Sequence, residues 1–368
     1  AVFFMVALSG IGAGTVAHAE RYDVTATERN ISAGVTETEY FTNTTSNDDQ
    51  VVAYAVEIDM SVNTLIAGYK DYDTSGEWGL QTVREQAAAA SEARNANIVV
   101  AVNGDYFNMG TGEPTGALVM DGEEVHASNG RPYFAVLKDG TAVIREGELR
   151  GDEAEAIGSP MVLVRDGEIV ADEADTVKQP RTAVGIKANG DVVIIVADGR
   201  QTPYSSGYNY YDLAVKFKEA GCVDAVNLDG GGSTTYLAKY AGTDELTLSN
   251  SPSDGQERSV STSLFVVSRA EATGVFGSVE MTPDNQVYTP GSAVTLNAVG
   301  ADTNGFATAI PEGVTWQVSD DSMGSVTAAR SDDGGMTVTF DAAAEKEKEG
   351  LNMKEHMADW RIHALAFV

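Results

Sequence analysis

Residues 223–235 read VDAVNLDGGGSTT, an apolar run that ends in an acid, three glycines and three hydroxyl residues. The run follows NYYDLAVKFKEAG, in which Leu213, Phe217 and Ala220 recur at helical spacing and Asn209 with Asp212 resembles a capping box. Gly221 then stands where a helix commonly ends. Upstream, WGLQTVREQAAAASEARNAN places Leu80, Val83, Ala87 and Ala90 on one helical face, and the second apolar run, NIVVAVN, follows directly. Continuous apolar runs entered from a helix suit central strands covered on both faces.

Other strands come in pairs around Asp121-Gly122, Asp139-Gly140, Asp166-Gly167 and Asn189-Gly190, dipeptides suited to tight hairpin turns. Residues 22–269 therefore read as one mixed α/β (α+β) domain, a mixed sheet with hairpins and flanking helices. After Arg269 the pattern changes to short strands separated by Gly, Pro, Asn and Asp, with no helical stretch. Residues 274–341 are expected to form a small all-β immunoglobulin-like sandwich of bacterial type, short of a final strand, with Trp316 as its core anchor. Residues 342–368 read as a helical or irregular tail, and EKEKEG within it as a solvated face.

The chain has 368 residues and 43% hydrophobic content, enough for one large domain and a small one. Its formal net charge of −31 argues against a nucleic-acid partner, which it would repel. Residues 1–19 are apolar up to Ala17-His18-Ala19, a small-residue cleavage pattern, and resemble a secretory signal whose basic start is missing. No other stretch is long and apolar enough to span a bilayer, so the expectation is a secreted or cell-surface bacterial protein without a membrane span in its mature form. Cys222 is the single cysteine, which leaves no internal disulfide and reads as a buried structural thiol. Only four histidines occur, and His126 alone falls in the main domain, where it reads as an ordinary strand-end residue. A histidine-rich metal site or a Ser/His/Asp triad is hard to build from that stock.

Candidate chemistry falls at strand ends. Asn103, Asp105 and Tyr106 follow the first central run, and Arg181 opens a hairpin that Asp198-Gly199-Arg200 closes. Asn227 to Thr235 follow the second run, and Glu257 and Arg258 enter a last strand. Glycines let backbone amides approach an anion, with Ser233 and Thr234 adding hydroxyl donors. Neither the GxxxxGK[ST] spacing nor a full G-x-G-x-x-G fingerprint is present, so the loop is not a nucleotide cradle. Asp229 beside such a loop needs a task of its own, either as acid or base, as a cation ligand, or in orienting a sugar hydroxyl. Arg181, Arg200 and Arg258 supply positive charge, since guanidinium pairs with phosphate oxygens in bidentate fashion. The alternation of Asp and Arg at successive strand ends suits a neutralised pocket for a phosphorylated sugar. The plainer reading is that NGD and DGR are simple turns and that the arginines pair with surface acids.

Taken together, NGDYF (103–107), PTGALVMDGE from Pro114, RTAVGI from Arg181, VADGRQ (196–201), NLDGGGSTT from Asn227 and ERSVSTSL from Glu257 resemble the phosphodiester glycosidase family. The resemblance spans about Arg84 to Arg269 and leaves the sandwich region outside. It implies hydrolysis of a sugar-1-phosphodiester, N-acetylglucosamine-1-phosphodiester-like, to free sugar and a phosphomonoester, with carboxylates acting through an oxocarbenium-like transition state. On that reading Asp229 and Asp198 are candidates for nucleophile or base, with Asp105 and Glu257 behind them. Arg181 and Arg258, with the amides of Gly230, Gly231, Gly232 and Ser233, would hold the phosphate. Asn103 and Asn227 would orient sugar hydroxyls or those carboxylates. The expected partner is a phosphorylated glycan or another cell-envelope substrate.

Two rival readings stand beside it. Asp105, Asp198 and Asp229 could bind Ca²⁺ or Mg²⁺ in a phosphodiesterase that cuts P–O bonds. Alternatively, the aromatics of YSSGYNYYD (204–212) could serve a non-catalytic glycan-binding surface protein.

Overall fold

The computed structural model describes residues 22–44, 50–75, 77–283, 293–318, 324–330, 336–342 and 364–367. The chain divides into two units, 8–240 with 245–271, and 1–7 with 241–244 and 272–368. The expected leader 1–19, most of the tail 342–368 and the Trp316 side chain lie outside the described residues.

In the larger unit the strands follow in chain order as β1 (Tyr22–Ser32), β2 (Val35–Thr44), β3 (Val51–Ile58) and β4 (Asn63–Tyr69), then helix α1 (Val83–Arg94) and β5 (Asn97–Asn103). Next come β6 (Leu118–Met120), β7 (Glu123–His126), β8 (Pro132–Leu137), β9 (Ala142–Glu146), β10 (Glu153–Gly158), β11 (Met161–Arg165) and β12 (Glu168–Ile169). β13 (Arg181–Lys187), β14 (Val192–Ala197), helix α2 (Tyr210–Glu219), β15 (Cys222–Asn227), β16 (Tyr236–Ala238), β17 (Thr247–Leu248) and β18 (Thr262–Ser268) complete it.

These strands form three sheets, ordered β1-β2-β3-β14-β13-β15-β11-β12, β7-β6-β10-β8-β9 and β17-β16-β5-β18-β4. Their strand pairings are antiparallel, and among the described residues α1 and α2 are the only α-helices. The mixed α/β expectation, a mixed sheet with flanking helices, is therefore corrected to a mostly β domain. The physical reason is specific. NIVVAVN and VDAVNL are buried on both faces as expected, yet one face of each is covered by another sheet and only the other by a helix. An apolar run buried on both sides reads the same whichever element covers it.

The shared core joins Val184, Val192, Ile194, Val196 and Val226 of the long sheet to Val100, Val102, Leu264 and Val266 of the β5 sheet. Leu213, Ala214 and Phe217 of α2 pack on the outer face of the long sheet against Ala183, Val193, Ile195 and Ala225. Val83, Ala87 and Ala90 of α1 do the same on Ile66, Ile98, Ala101 and Phe265. The second helix starts at its expected cap, and the first starts at a cap the sequence reading did not name. Thr82 and Glu85 form a reciprocal capping box, and the Asn209 side chain accepts from the Asp212 amide at 2.6 Å. Cys222 is buried beneath α2, as a structural thiol would be.

In the smaller unit β19 (Phe276–Pro283), β20 (Ala293–Asp302), β21 (Ala307–Thr308), β22 (Thr315–Val318), β23 (Gly324–Arg330), β24 (Met336–Ala342) and β25 (Ala364–Phe367) follow. Four of them make an antiparallel sheet in the order β19-β20-β24-β23, β21 pairs with β20, and β22 pairs with β25. The Asp302 carboxylate accepts amides from Thr273, Gly274, Asn304 and Phe306, which holds it down to about 2 against the cost of its desolvation.

Candidate active site

Strand ends from the long sheet and from the β5 sheet meet at one place. The Gly104 amide, just past β5, donates to the Thr262 carbonyl, and the Gly104 carbonyl accepts the Asp229 amide, each at 2.7 Å. The Leu228 amide donates to Thr182 at 2.8 Å and ties the end of β15 to β13. Asn103 completes the joint. Its Nδ2 donates to the Asp229 carbonyl at 2.8 Å, and its Oδ1 accepts the Thr182 hydroxyl at 2.7 Å and the Thr235 amide at 3.1 Å. A buried amide with its oxygen and nitrogen both engaged is a brace, and Asn103 holds both ends of the glycine loop.

Asp105 and Asp229 both leave that joint, and the Asp229 charge reaches Asp105. Asp105 is buried, its Oδ2 accepting the Gly116 amide at 2.7 Å. Its Oδ1 is buried without a hydrogen-bond partner among the described residues. A methyl group at Gly158 or Gly116 would lie 2.5 or 2.7 Å from Asp105 Oδ2, so the carboxylate occupies space that any side chain there would claim. Burial pushes the Asp105 carboxyl up to about 6, with Arg131 pulling it down and the Asp229 charge adding to the rise. Asp229 is half-buried; burial pushes it up to about 6 as well, against the Ser233 hydroxyl, the Gly230 amide at 2.8 Å and Arg258. His126, which sequence reasoning set aside, places Nδ1 2.7 Å from the Gly116 carbonyl and stacks edge-on against Trp78 at 5.5 Å. It braces the glycine that braces Asp105.

Two guanidinium groups line the glycine loop. A Cβ at Gly231 would meet Arg200 Nη2 at 3.0 Å, and one at Gly232 would meet Arg258 Nη2 at 2.1 Å. Arg200 Nε donates to Gln179 Oε1. Arg258 pairs with Asp254 at 2.6 Å and reaches the Ser233 hydroxyl at 3.5 Å. The bare loop thus makes room for arginines. Its amides are largely engaged already: Gly230 on Asp229, Gly231 on the Pro180 carbonyl at 2.9 Å, Ser233 on the Gly230 carbonyl at 3.3 Å. Thr234 Oγ1 is buried without a hydrogen-bond partner among the described residues.

The remaining expected residues stand back from the pair. Asp198 is fully buried; its oxygens accept the Tyr204 hydroxyl at 3.0 Å, Asn250 Nδ2 at 2.9 Å and the Ser251 amide at 3.0 and 2.9 Å. Burial still pushes it up to about 6. Asn250 Nδ2 also donates to the Thr234 carbonyl at 3.2 Å, so Asp198 holds the far side of the glycine loop. Glu257 pairs with Arg84 of α1 at 2.8 Å. Arg181 is buried; its Nε and Nη2 each donate at 3.0 Å, to the Tyr208 and Val177 carbonyls, and its guanidinium lies 3.8 Å over the Tyr210 ring. Asn227 is buried with Nδ2 on the Leu228 carbonyl.

Asp105, Asp198 and Asp229, the set that could hold Ca²⁺ or Mg²⁺ on the rival reading, do not gather into one cluster; among the described residues no three of His, Cys, Asp and Glu do. The reason is placement: Asp198 faces the 250–251 loop while Asp105 faces Gly116. Tyr106 stood among the expected strand-end residues and Tyr210 among the 204–212 aromatics, but their pairing was missed, as was Asn250, because those contacts join segments far apart in the chain.

Residues 96–267 match the phosphodiester glycosidase family. The N-acetylglucosamine-1-phosphodiester α-N-acetylglucosaminidase of Mus musculus is 30% identical over 199 residues, 46% of this chain and 36% of that protein. The chain thus spans about a third of that relative's length. The zebrafish catalytic domain of the enzyme of that name, auto-inhibited by its pro-peptide, superposes with a TM-score of 0.52 at 24% identity, covering 67% of this chain and 88% of that one. A putative exported protein from Burkholderia pseudomallei superposes equally, at 0.52, with 13% identity, covering 67% and 97%. At those identities the two structures speak for the fold alone. The fold, the ordered motifs and the sequence match agree in likening residues 96–267 to the phosphodiester glycosidase family.

Proposed function

We propose that this domain hydrolyses the glycosidic C–O bond of a sugar-1-phosphodiester, N-acetylglucosamine-like in its sugar, giving free sugar and a phosphomonoester. The observation that carries the reading is the Asp105–Asp229 pair, two carboxyls raised to about 6 at the seam of two sheets. Burial raises both carboxyls and the Asp229 charge adds to the rise at Asp105, so in mildly acid solution one of the pair can keep its proton while the other is ionised. Asp229 has the Gly230 amide, the Ser233 hydroxyl and Arg258 to stabilise a negative charge and acts as the carboxylate. Asp105, with a buried unpaired oxygen, holds the proton.

As the anomeric C–O bond breaks, its electron pair leaves with the phosphate, whose charge Arg200 and Arg258 receive beside the glycine loop. Water attacks the anomeric carbon, its oxygen stays on the sugar, and its proton passes to a carboxylate of the pair. Asp198, Asn103 and His126 position this arrangement without touching substrate.

We further propose that the protein is exported and meets glycan phosphodiesters of the cell envelope, and that residues 274–341 form an appended immunoglobulin-like module. The leader-like start supports export, and no helix among the described residues is long and apolar enough to cross a membrane. The direct test is to incubate the protein with an N-acetylglucosamine-α-1-phosphodiester in isotopically labelled water, with and without chelator. Label in the free sugar is expected. Label in phosphate, with sugar phosphate as product, would replace this reading with P–O cleavage.

A further inference from the structure

We propose that Tyr106 is the hydroxyl that faces the sugar beside Asp229, and that Tyr210, seated on Arg181, holds it there. This proposal rests on the glycosidase reading. Tyr106 follows Asp105 in the chain and is half-buried. It lies within electrostatic reach of both Asp229 and Arg181, which push its phenol in opposite directions. Its hydroxyl oxygen is 3.4 Å from that of Tyr210.

Two phenols sharing one hydrogen bond have two hydroxyl protons between them, and only one lies in the shared bond. The other is left to donate, and oxygen lone pairs remain to accept. A hydroxyl or the ring oxygen of a pyranose presents the complementary atoms. Placed next to the carboxylate that faces the anomeric carbon, such a donor fixes the sugar's rotation over Asp229.

Tyr210 is held at two points. Its amide donates to Asp175 Oδ2 at 2.9 Å at the start of α2, and its ring lies 3.8 Å from the Arg181 guanidinium carbon. Arg181 is in turn held by the carbonyls of Tyr208 and Val177. The two carbonyls and the tyrosine face fix the guanidinium and its charge in place. That charge and the bridging hydroxyls give Arg181 a link to the site that does not require it to touch phosphate.

The test compares Y106F, Y210F and the double variant on an N-acetylglucosamine-α-1-phosphodiester, reading kcat and KM separately. Y106F is expected to lower kcat/KM by about tenfold to a hundredfold, the scale of one buried hydrogen bond to substrate. Y210F should lose less, and the double variant should be no worse than Y106F, because Tyr210 acts through Tyr106. Losses that multiply, or a Y106F variant with wild-type kcat/KM, would overturn the proposal. Melting temperatures of the variants separate a folding defect from a positioning one. Should the wild-type protein cleave no sugar phosphodiester, the glycosidase reading fails, and N-acetylglucosamine 1-phosphate binding followed by ligand NMR then decides. Binding lost in Y106F supports the Tyr106 assignment; binding unchanged in Y106F, or absent from the wild type, overturns it.

Discussion

The Asp229 amide donates to the Gly104 carbonyl at 2.7 Å, and that one bond sets the residue before Asp105 against the backbone of Asp229. Two carboxylates more than a hundred residues apart in sequence are thereby locked to a common piece of main chain. The seam thus fixes where the two main-chain segments stand, and the side-chain rotamers set where their carboxyls point.

Replacing either carboxylate with its amide should remove turnover and leave the fold intact. D229N and D105N are each expected to lower kcat on the order of 10²–10⁴-fold, the range for a positioned acid or base. The check is steady-state hydrolysis of the sugar phosphodiester, alongside circular dichroism to confirm folding. Wild-type rates in either variant would dismiss that residue from the chemistry.

The same pair predicts how stability follows pH. Asp105 sits at about 6 in the fold against the usual 3.8, so the native protein keeps a proton that the unfolded chain has released. Between those values stability falls as pH rises, and the loss is complete above the folded value. D105N removes the buried charge, so its melting temperature should exceed that of the wild type at pH 7.5. At a pH near 4 the difference should close. Every tenfold gain in proton affinity on folding corresponds to about 1.4 kcal/mol, an upper bound here. Thermal scans at the two pH values decide it.

Gly232→Ala tests the arginine side of the site. A methyl group there would lie 2.1 Å from Arg258 Nη2 and 2.4 Å from Asp254 Oδ1, so the ion pair has to move while the backbone need not. The expected outcome is a KM raised about tenfold, in line with one displaced charged hydrogen bond, and a melting temperature close to that of the wild type. A KM unchanged by this substitution would take Arg258 away from the phosphate.

Asp198 should behave as a structural carboxylate. In D198N one oxygen becomes a donor facing groups that already donate, the Ser251 amide and the Tyr204 hydroxyl among them. A destabilisation of about 1–3 kcal/mol is expected from the unpaired groups. Urea unfolding measures that loss. In the remaining folded protein the pH midpoint of kcat/KM should stay where Asp105 and Asp229 put it. A shifted midpoint would restore Asp198 to the reacting pair.

Much of this was legible beforehand. The cap at Asn209, the buried runs 97–103 and 223–228, and the strand-end positions of Asp105 and Asp229 follow from local pattern. Local pattern misjudged the sheets, because a run buried on two faces carries no mark of whether a helix or another sheet covers it. It also placed Arg181 among the phosphate ligands, since a guanidinium in sequence looks the same whether it faces solvent or a tyrosine ring.

The chain by itself determined which residue types stand at the strand ends, because turns, caps and apolar periodicity act over a few neighbouring residues. It also carries, in an ordered series of short motifs, the likeness of residues 96–267 to the phosphodiester glycosidase family. The tertiary structure decided which two carboxylates meet, that Asp198 supports the loop from behind, and that Tyr106 and Tyr210 face one another. Those outcomes depend on hydrogen bonds such as Gly104 to Asp229 and Asn250 to Thr234, which join segments brought together only when antiparallel sheets pack face to face.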